Sequence, residues 1–233
     1  MSSIEAVLFD LDGTLLDSSP DLCFALNETL AAHNLPAVED KYLRPYVSLG
    51  SIPLLQRGFG YPIDDPVYKE LRLEFLAIYA KNLTRSSRPF DGVETLLKTL
   101  EARGIPWGIV TNKPGFLATP LLAQLPFAQT AACQVSGDTL EHAKPHPAPM
   151  YHACEIIGCD PTKVLYVGDA KRDIDAGNRA GMHTMIASYG YIGGEDKPED
   201  WGADTAIDHP SEVLTWLDND AKNLTPKIGE LPV

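Results

Sequence analysis

Short apolar runs that do not alternate with polar residues recur along this chain: "AVLF" (6–9), "WGIV" (107–110), "CQV" (133–135), "VLYV" (164–167) and "TMIA" (184–187), with a weaker "TAI" at 205–207. A half-exposed strand alternates, whereas a near-continuous apolar run belongs to a strand covered on both faces, the condition of a parallel sheet clad in helices. The intervals supply those helices. Val93, Leu96, Leu97 and Leu100 make one apolar face, with Asp91 as its expected N-cap and Gly104 as its stop. Met150, Ala153, Cys154 and Ile157 make another. Strands alternating with helices predict a doubly wound, Rossmann-like α/β sheet.

One connection breaks the rhythm. More than ninety positions separate Asp10 from Ile105, whereas an ordinary βαβ unit takes about thirty residues. Leu22, Leu26, Leu30 and His33 recur there at helical spacing, as do Val67, Leu71, Phe75 and Ile78, with Pro45, Gly50, Pro53, Gly58 and Gly60 punctuating the stretch between. This predicts an inserted helical cap domain over 17–86, returning through "RSSRPF" (85–90) to a core domain made of 1–16 and 87–233. Because the insertion leaves just after Asp12, it is expected to cover that strand end.

Composition narrows the function. The 233 residues carry 19 Lys+Arg against 32 Asp+Glu, a net charge of -13, which disfavours nucleic acid and anionic membranes as partners. No apolar run approaches membrane-spanning length. "MSSIEAVLF" lacks the basic and long apolar regions of a signal peptide, and the four cysteines form neither a CxxC pair nor a zinc spacing. The expectation is a cytoplasmic protein with reduced thiols. Oligomeric state is not legible, and the tail from Lys222, with two prolines, is expected to be poorly ordered.

Ligands of open α/β sheets bind outside the carboxyl ends of the strands. The residues that follow the apolar runs are Asp10 and Asp12, then Thr111, Asn112 and Lys113, then Lys144, then Asp169 and Asp173. Each has an ordinary role open to it: a helix cap for Thr111, a solvated surface position for Lys144, a turn for Asp169, a helix N-terminus for Asp173. Their coincidence at one edge of the sheet is what singles them out. Asp10 and Asp12 are two apart, so their side chains lean to the same side of the strand end.

These pieces resemble the haloacid dehalogenase superfamily in its phosphatase branch, in particular the phosphoglycolate phosphatase-like group. "DLDGT" (10–14), Thr111, Lys144 and "GDAKRD" (168–173) stand where its four motifs stand, with the insertion in the place of its cap. Ala170 departs from the pattern, since many relatives carry a hydroxyl there. The resemblance implies a Mg²⁺-dependent phosphatase acting on a small phosphomonoester. Asp10 would be the nucleophile that becomes an aspartyl phosphate, and Asp12 the general acid and base. Asp10, the Asp12 main-chain carbonyl and Asp169 would hold the metal, with Asp173 ordering its surroundings. Thr111 and Lys144 would take phosphoryl oxygens, beside Asn112 and the turn at Gly13. Asp12 favours phosphoryl transfer over dehalogenation. Phosphomutases share this core. A receiver-type signalling module, which accepts phosphate on a similar sheet, lacks such an insertion.

Substrate choice falls to the cap. The segment 189–213 resembles bacterial N-acetylmuramic acid 6-phosphate phosphatases, with 2-phosphoglycolate as the next candidate substrate. Both molecules carry a carboxylate, and cap residues Arg44 and Arg57 are the candidates to read it. "VSLGS" (47–51) offers small residues for close approach to a ligand.

Overall fold

The computed structural model describes residues 4–193 and 196–224. Its strands are β1 (Ala6–Phe9), β2 (Leu16–Asp17), β3 (Arg88–Pro89), β4 (Trp107–Val110), β5 (Cys133–Val135), β6 (Val164–Gly168), β7 (His183–Ala187) and β8 (Thr205–Ile207). Six of them form one parallel sheet in the order β5-β4-β1-β6-β7-β8. Both faces are covered, which is why the runs do not alternate. Val7, Phe9, Trp107, Ile109, Leu165 and Val167 pack on one face. Ala6, Leu8, Val110, Val164 and Tyr166 pack on the other.

The helices are α1 (Ser19–Ala32), α2 (Asp40–Leu43), α3 (Ser51–Phe59), α4 (Tyr68–Ala80), α5 (Val93–Ala102), α6 (Gly115–Leu122), α7 (Ala148–Ile157), α8 (Lys171–Ala180) and α9 (Glu212–Leu224). The apolar stripes of α5, α6 and α9 lie in the first cluster, and those of α7 and α8 in the second. Asp91 is not the cap of α5. Gly92 holds that position with φ 83°, with no side-chain hydrogen bond at the cap. A Cβ there would overlap the His209 ring, so glycine meets both the left-handed backbone and the close approach. The C-terminal tail stays helical to Leu224, and 225–233 lie outside the described residues. No helix among the described residues is long and apolar enough to cross a membrane.

The insertion leaves and returns through a two-stranded antiparallel ribbon in which Leu16 pairs with Pro89 and Asp17 with Arg88. Between these strands, α1 and α4 bury Cys23, Leu26, Leu30, Leu71, Phe75 and Tyr79 in the same apolar cluster that underlies the sheet. Wholly buried Asp21 of α1 fastens the return. Its carboxylate accepts the Ser86 N–H (2.8 Å), the Ser87 N–H (2.9 Å) and the Ser87 hydroxyl (2.6 Å). A buried carboxylate is tolerable only with such partners.

Candidate active site

Sheet register brings the chemistry together. Phe9 is level with Ile109 on one side and Val167 on the other, so Asp10, Thr111 and Asp169 emerge side by side from three adjacent strand ends. Asp10 is 2% exposed. Its Oδ1 accepts the Leu11 N–H at 2.7 Å and pairs with Lys144 Nζ at 3.0 Å, which leaves Oδ2 for the cleft that Asp10 lines. Lys144 is 3% exposed and arrives from the loop after β5. Its ammonium lies 2.7 Å from Asp173 Oδ1 and donates to the Val110 carbonyl and the Tyr166 hydroxyl at 2.7 and 2.8 Å. Asn112 fixes this loop: its amide donates to the Lys144 carbonyl and accepts the Lys144 N–H. Asn112 thus lines the cleft while holding Lys144 in place.

Asp169 and Asp173 complete a carboxylate cluster. One oxygen from each of Asp10, Asp169 and Asp173 lies within 4.8 Å of the others, and all three residues are buried. Asp173, on the first turn of α8, accepts the Ala170 N–H at 3.0 Å, so the main chain orders it where a hydroxyl is missing. Asp169 Oδ2 accepts the Tyr191 N–H (2.9 Å) and the Ser48 hydroxyl (2.7 Å), whereas Oδ1 is buried without a partner. Burial, with the Asp173 and Asp10 charges, raises the Asp169 carboxyl to about 7. An oxygen-only donor set with an orphaned carboxylate oxygen fits a hard divalent cation such as Mg²⁺. Gly13 is required by this packing: at φ 87° it lies against the Asp169 carboxylate, and a Cβ would overlap it.

The Asp12 side chain stands apart from the cluster. It pairs with Lys113 Nζ at 3.0 Å and accepts the Ser18 hydroxyl. Lys113 also donates to the hydroxyl of Tyr79, on the cap helix α4. Burial pushes Tyr79 up to about 12, so it meets that ammonium as a neutral phenol. Thr111 accepts the Lys113 N–H on its Oγ1 at 3.1 Å. Lys113 was within reach of sequence reasoning, three positions beyond the strand. Nothing in the sequence shows that it would bridge Asp12 to the cap.

Core and cap enclose a cleft of about 270 Å³. Asp10, Asp12, Thr111, Asn112, Lys113 and Arg172 line it from the core. The whole stretch Val47–Ser51 lines it from the cap, with Leu54, Arg72, Phe75, Leu76 and Tyr79. Neither of the two arginines expected from the cap is there. Arg44 donates to both oxygens of Asp17 (2.9 and 2.8 Å) and to the Ser19 hydroxyl, with its guanidinium over the Tyr191 ring. Burial would raise Asp17, but the hydrogen bonds from Arg44, Ser19 and Tyr191 outweigh it and hold the carboxyl below its usual range. Arg57 is exposed and lies over the Tyr46 ring. The cap arginine that lines the cleft is Arg72, whose Nε donates to the Ser51 hydroxyl at 3.0 Å. Tyr191 is a packing and hinge residue: its hydroxyl accepts the Ser18 and Ser19 N–H groups and donates to Asp17.

An open parallel sheet with a carboxylate cluster and a buried lysine at its carboxyl edge, roofed by a helical insertion, defines an α/β protein with a site suited to a divalent cation and an anionic ligand. Comparison with known proteins agrees. Residues 7–187 match the model of the haloacid dehalogenase-like hydrolases. The chain is 43% identical over 215 residues to the N-acetylmuramic acid 6-phosphate phosphatase of Pseudomonas aeruginosa, covering 92% of this chain and 95% of that one. It is 45% identical over 208 residues to a phosphoglycolate phosphatase of Xanthomonas campestris pv. campestris, covering 89% and 94%. A crystal structure of a predicted phosphoglycolate phosphatase from Haemophilus somnus superposes with a TM-score of 0.81 at 30% identity, over 93% of this chain and 99% of that one. The chain therefore belongs to the haloacid dehalogenase-like hydrolase family, and within it to the phosphatases.

Proposed function

We propose that the protein is a Mg²⁺-dependent phosphatase that passes the phosphoryl group through Asp10, and that its substrate is N-acetylmuramic acid 6-phosphate. The observation that carries the chemistry is the buried Asp10–Asp169–Asp173 cluster with its orphaned Asp169 Oδ1, set beside the Lys144 ammonium. Asp10 attacks phosphorus through Oδ2 as the ester P–O bond breaks, and Asp12 gives its proton to the departing oxygen. Asp12 then takes a proton from the water that cleaves the aspartyl phosphate. Lys144 and the Thr111 hydroxyl hold phosphoryl oxygens during both steps. Held by Asp10, Asp169 and the Asp12 main-chain carbonyl, Mg²⁺ would offset the negative charge on the phosphoryl oxygens.

Two relatives of nearly equal identity carry different substrate names, so identity does not decide between them. The cap does. Val47, Leu49, Leu54, Phe75 and Leu76 form an apolar wall beside Arg72. A two-carbon acid leaves that wall uncovered, whereas an acetylated sugar bearing a lactyl ether presents methyl groups to it and a carboxylate to Arg72. We read residues 17–86 as the cap domain that makes this choice, over a core of 1–16 and 87–233. Buried free thiols at Cys23, Cys133 and Cys154 suit a cytoplasmic enzyme. The test is kcat/KM for both phosphate esters, with Mg²⁺ and after chelation. A higher value for the sugar phosphate, lost on chelation, is expected; preference for 2-phosphoglycolate would overturn the substrate, and metal-independent turnover the mechanism.

A further inference from the structure

Arg172 has no role in the chemistry described so far. It is the second residue of α8, between the metal-type carboxylates Asp169 and Asp173, and it lines the cleft alongside Asp10, Asp12 and Thr111. Its Nε is closed off from solvent and has no hydrogen-bond partner. Every other arginine among the described residues is engaged. Arg44, Arg72, Arg88, Arg103 and Arg179 donate hydrogen bonds. Arg57 and Arg85 lie over aromatic rings. Arg172 lies in the field of Asp173, Asp10 and Asp169 but forms no direct ion pair with them; Lys144 makes the direct contacts to Asp10 and Asp173 at 3.0 and 2.7 Å. A buried guanidinium Nε–H without an acceptor is a donor left unsatisfied, at a cost in free energy, unless a ligand completes it.

We propose that Arg172 completes its hydrogen bonds on the transferring phosphoryl group, as a third cationic or hydroxyl contact beside Lys144 and Thr111. Its place on the core side of the cleft, next to Asp10, puts it at the reacting end of the substrate, whereas the cap carries the residues that meet the leaving group. A guanidinium presents a planar fork of donors that matches two oxygens of one phosphoryl group, which an ammonium cannot do. Four carboxylates crowd this site, and a phosphate dianion enters more readily where a second cation, with a donor still free, stands beside Lys144.

This assignment rests on the phosphatase reading, so the experiment separates the two. Binding of inorganic phosphate is measured by calorimetry for the wild type, Arg172→Ala and Arg172→Lys, each with and without Mg²⁺, alongside Mg²⁺ binding and kinetics on p-nitrophenyl phosphate and on a carboxylate-bearing ester. Arg172→Ala is expected to weaken phosphate binding about ten- to a hundredfold, with kcat/KM falling equally on both esters and Mg²⁺ affinity unchanged or tighter. Arg172→Lys is expected to recover part of the loss and keeps the test informative if the alanine variant folds poorly. Phosphate affinity unchanged in both variants would overturn the assignment and leave the phosphatase reading intact. So would a loss confined to the carboxylate-bearing ester, which would make Arg172 a specificity residue. A wild type that neither binds phosphate nor hydrolyses either ester would overturn both.

Discussion

Asp10 and Asp169 are both buried carboxylates, yet their surroundings assign them different work. Asp10 has one oxygen engaged by Leu11 and Lys144 and the other open to the cleft. Asp10→Asn keeps the shape and removes the nucleophile, so turnover should fall on the order of 10⁴-fold or more with the thermal midpoint retained. Steady-state kinetics with a melting curve checks both halves. Asp169 bears on stability as well. Burial raises its carboxyl to about 7, well above the usual carboxylate range, and burial raises Asp173 too. With the folded value above the unfolded one, the native metal-free protein holds more protons between those pH values. That contribution to stability is complete below about pH 4 and is lost as the pH rises through 7. The metal-free protein should therefore melt lower at pH 8 than at pH 5. Asp169→Asn should remove part of that decline and abolish stabilisation by Mg²⁺, which in the wild type should be larger at pH 8 because protons no longer compete. A midpoint that climbs with pH in the metal-free wild type would contradict the buried, proton-holding Asp169. Gly13 belongs to the same small volume, since any side chain there would displace this carboxylate.

The helical insertion shares its apolar cluster with the sheet and is fastened further by polar clasps at the ends of elements. Asp21 of α1 binds the Ser86–Ser87 return, and Arg44 ties Asp17 at the exit to Ser19 at the start of α1. Removing the Asp21 side chain leaves two N–H groups and a hydroxyl unmet in a buried place, so Asp21→Ala should lower stability by roughly 2–4 kcal/mol in chemical denaturation. Asp21→Asn, which keeps an acceptor, should lose less. Equal losses for the two variants would mean that packing, not hydrogen bonding, holds the hinge. The ribbon of β2 and β3 was hidden from sequence reading because two-residue strands have no period to detect. The Gly92 cap was missed for a related reason: Asp91 is the better capping residue, but the backbone needed φ 83° and room beside His209, which only the packed structure imposes.

At the level of the molecule, the proposed selectivity rests on what the helical insertion carries over the strand ends. Arg72 lines the cleft and Arg44 does not. Arg72→Ala should reduce kcat/KM about tenfold or more for the carboxylate-bearing substrate, with little effect on p-nitrophenyl phosphate. Arg44→Ala should affect the two substrates alike and lower the melting midpoint. A reversed pattern would return the carboxylate to Arg44. Strand positions, the helical insertion and the strand-end placement of Asp10, Asp12, Thr111, Asp169 and Asp173 were legible along the chain, because each lies close to an apolar run that marks a strand or helix, whereas Lys144 stands nine positions beyond Val135 and its loop carries it back to Asp10. These are local features, and local features survive in one dimension. Strand order, the bridge from Lys113 to Tyr79, the support of Asp169 by Ser48 and Tyr191, the diversion of Arg44 to Asp17 and the unpartnered Nε of Arg172 were not legible. Each joins residues far apart in sequence, or depends on which of several neighbouring carboxylates a long cationic side chain reaches first. That competition is settled by distances that exist only once the sheet, the helices and the cap are packed.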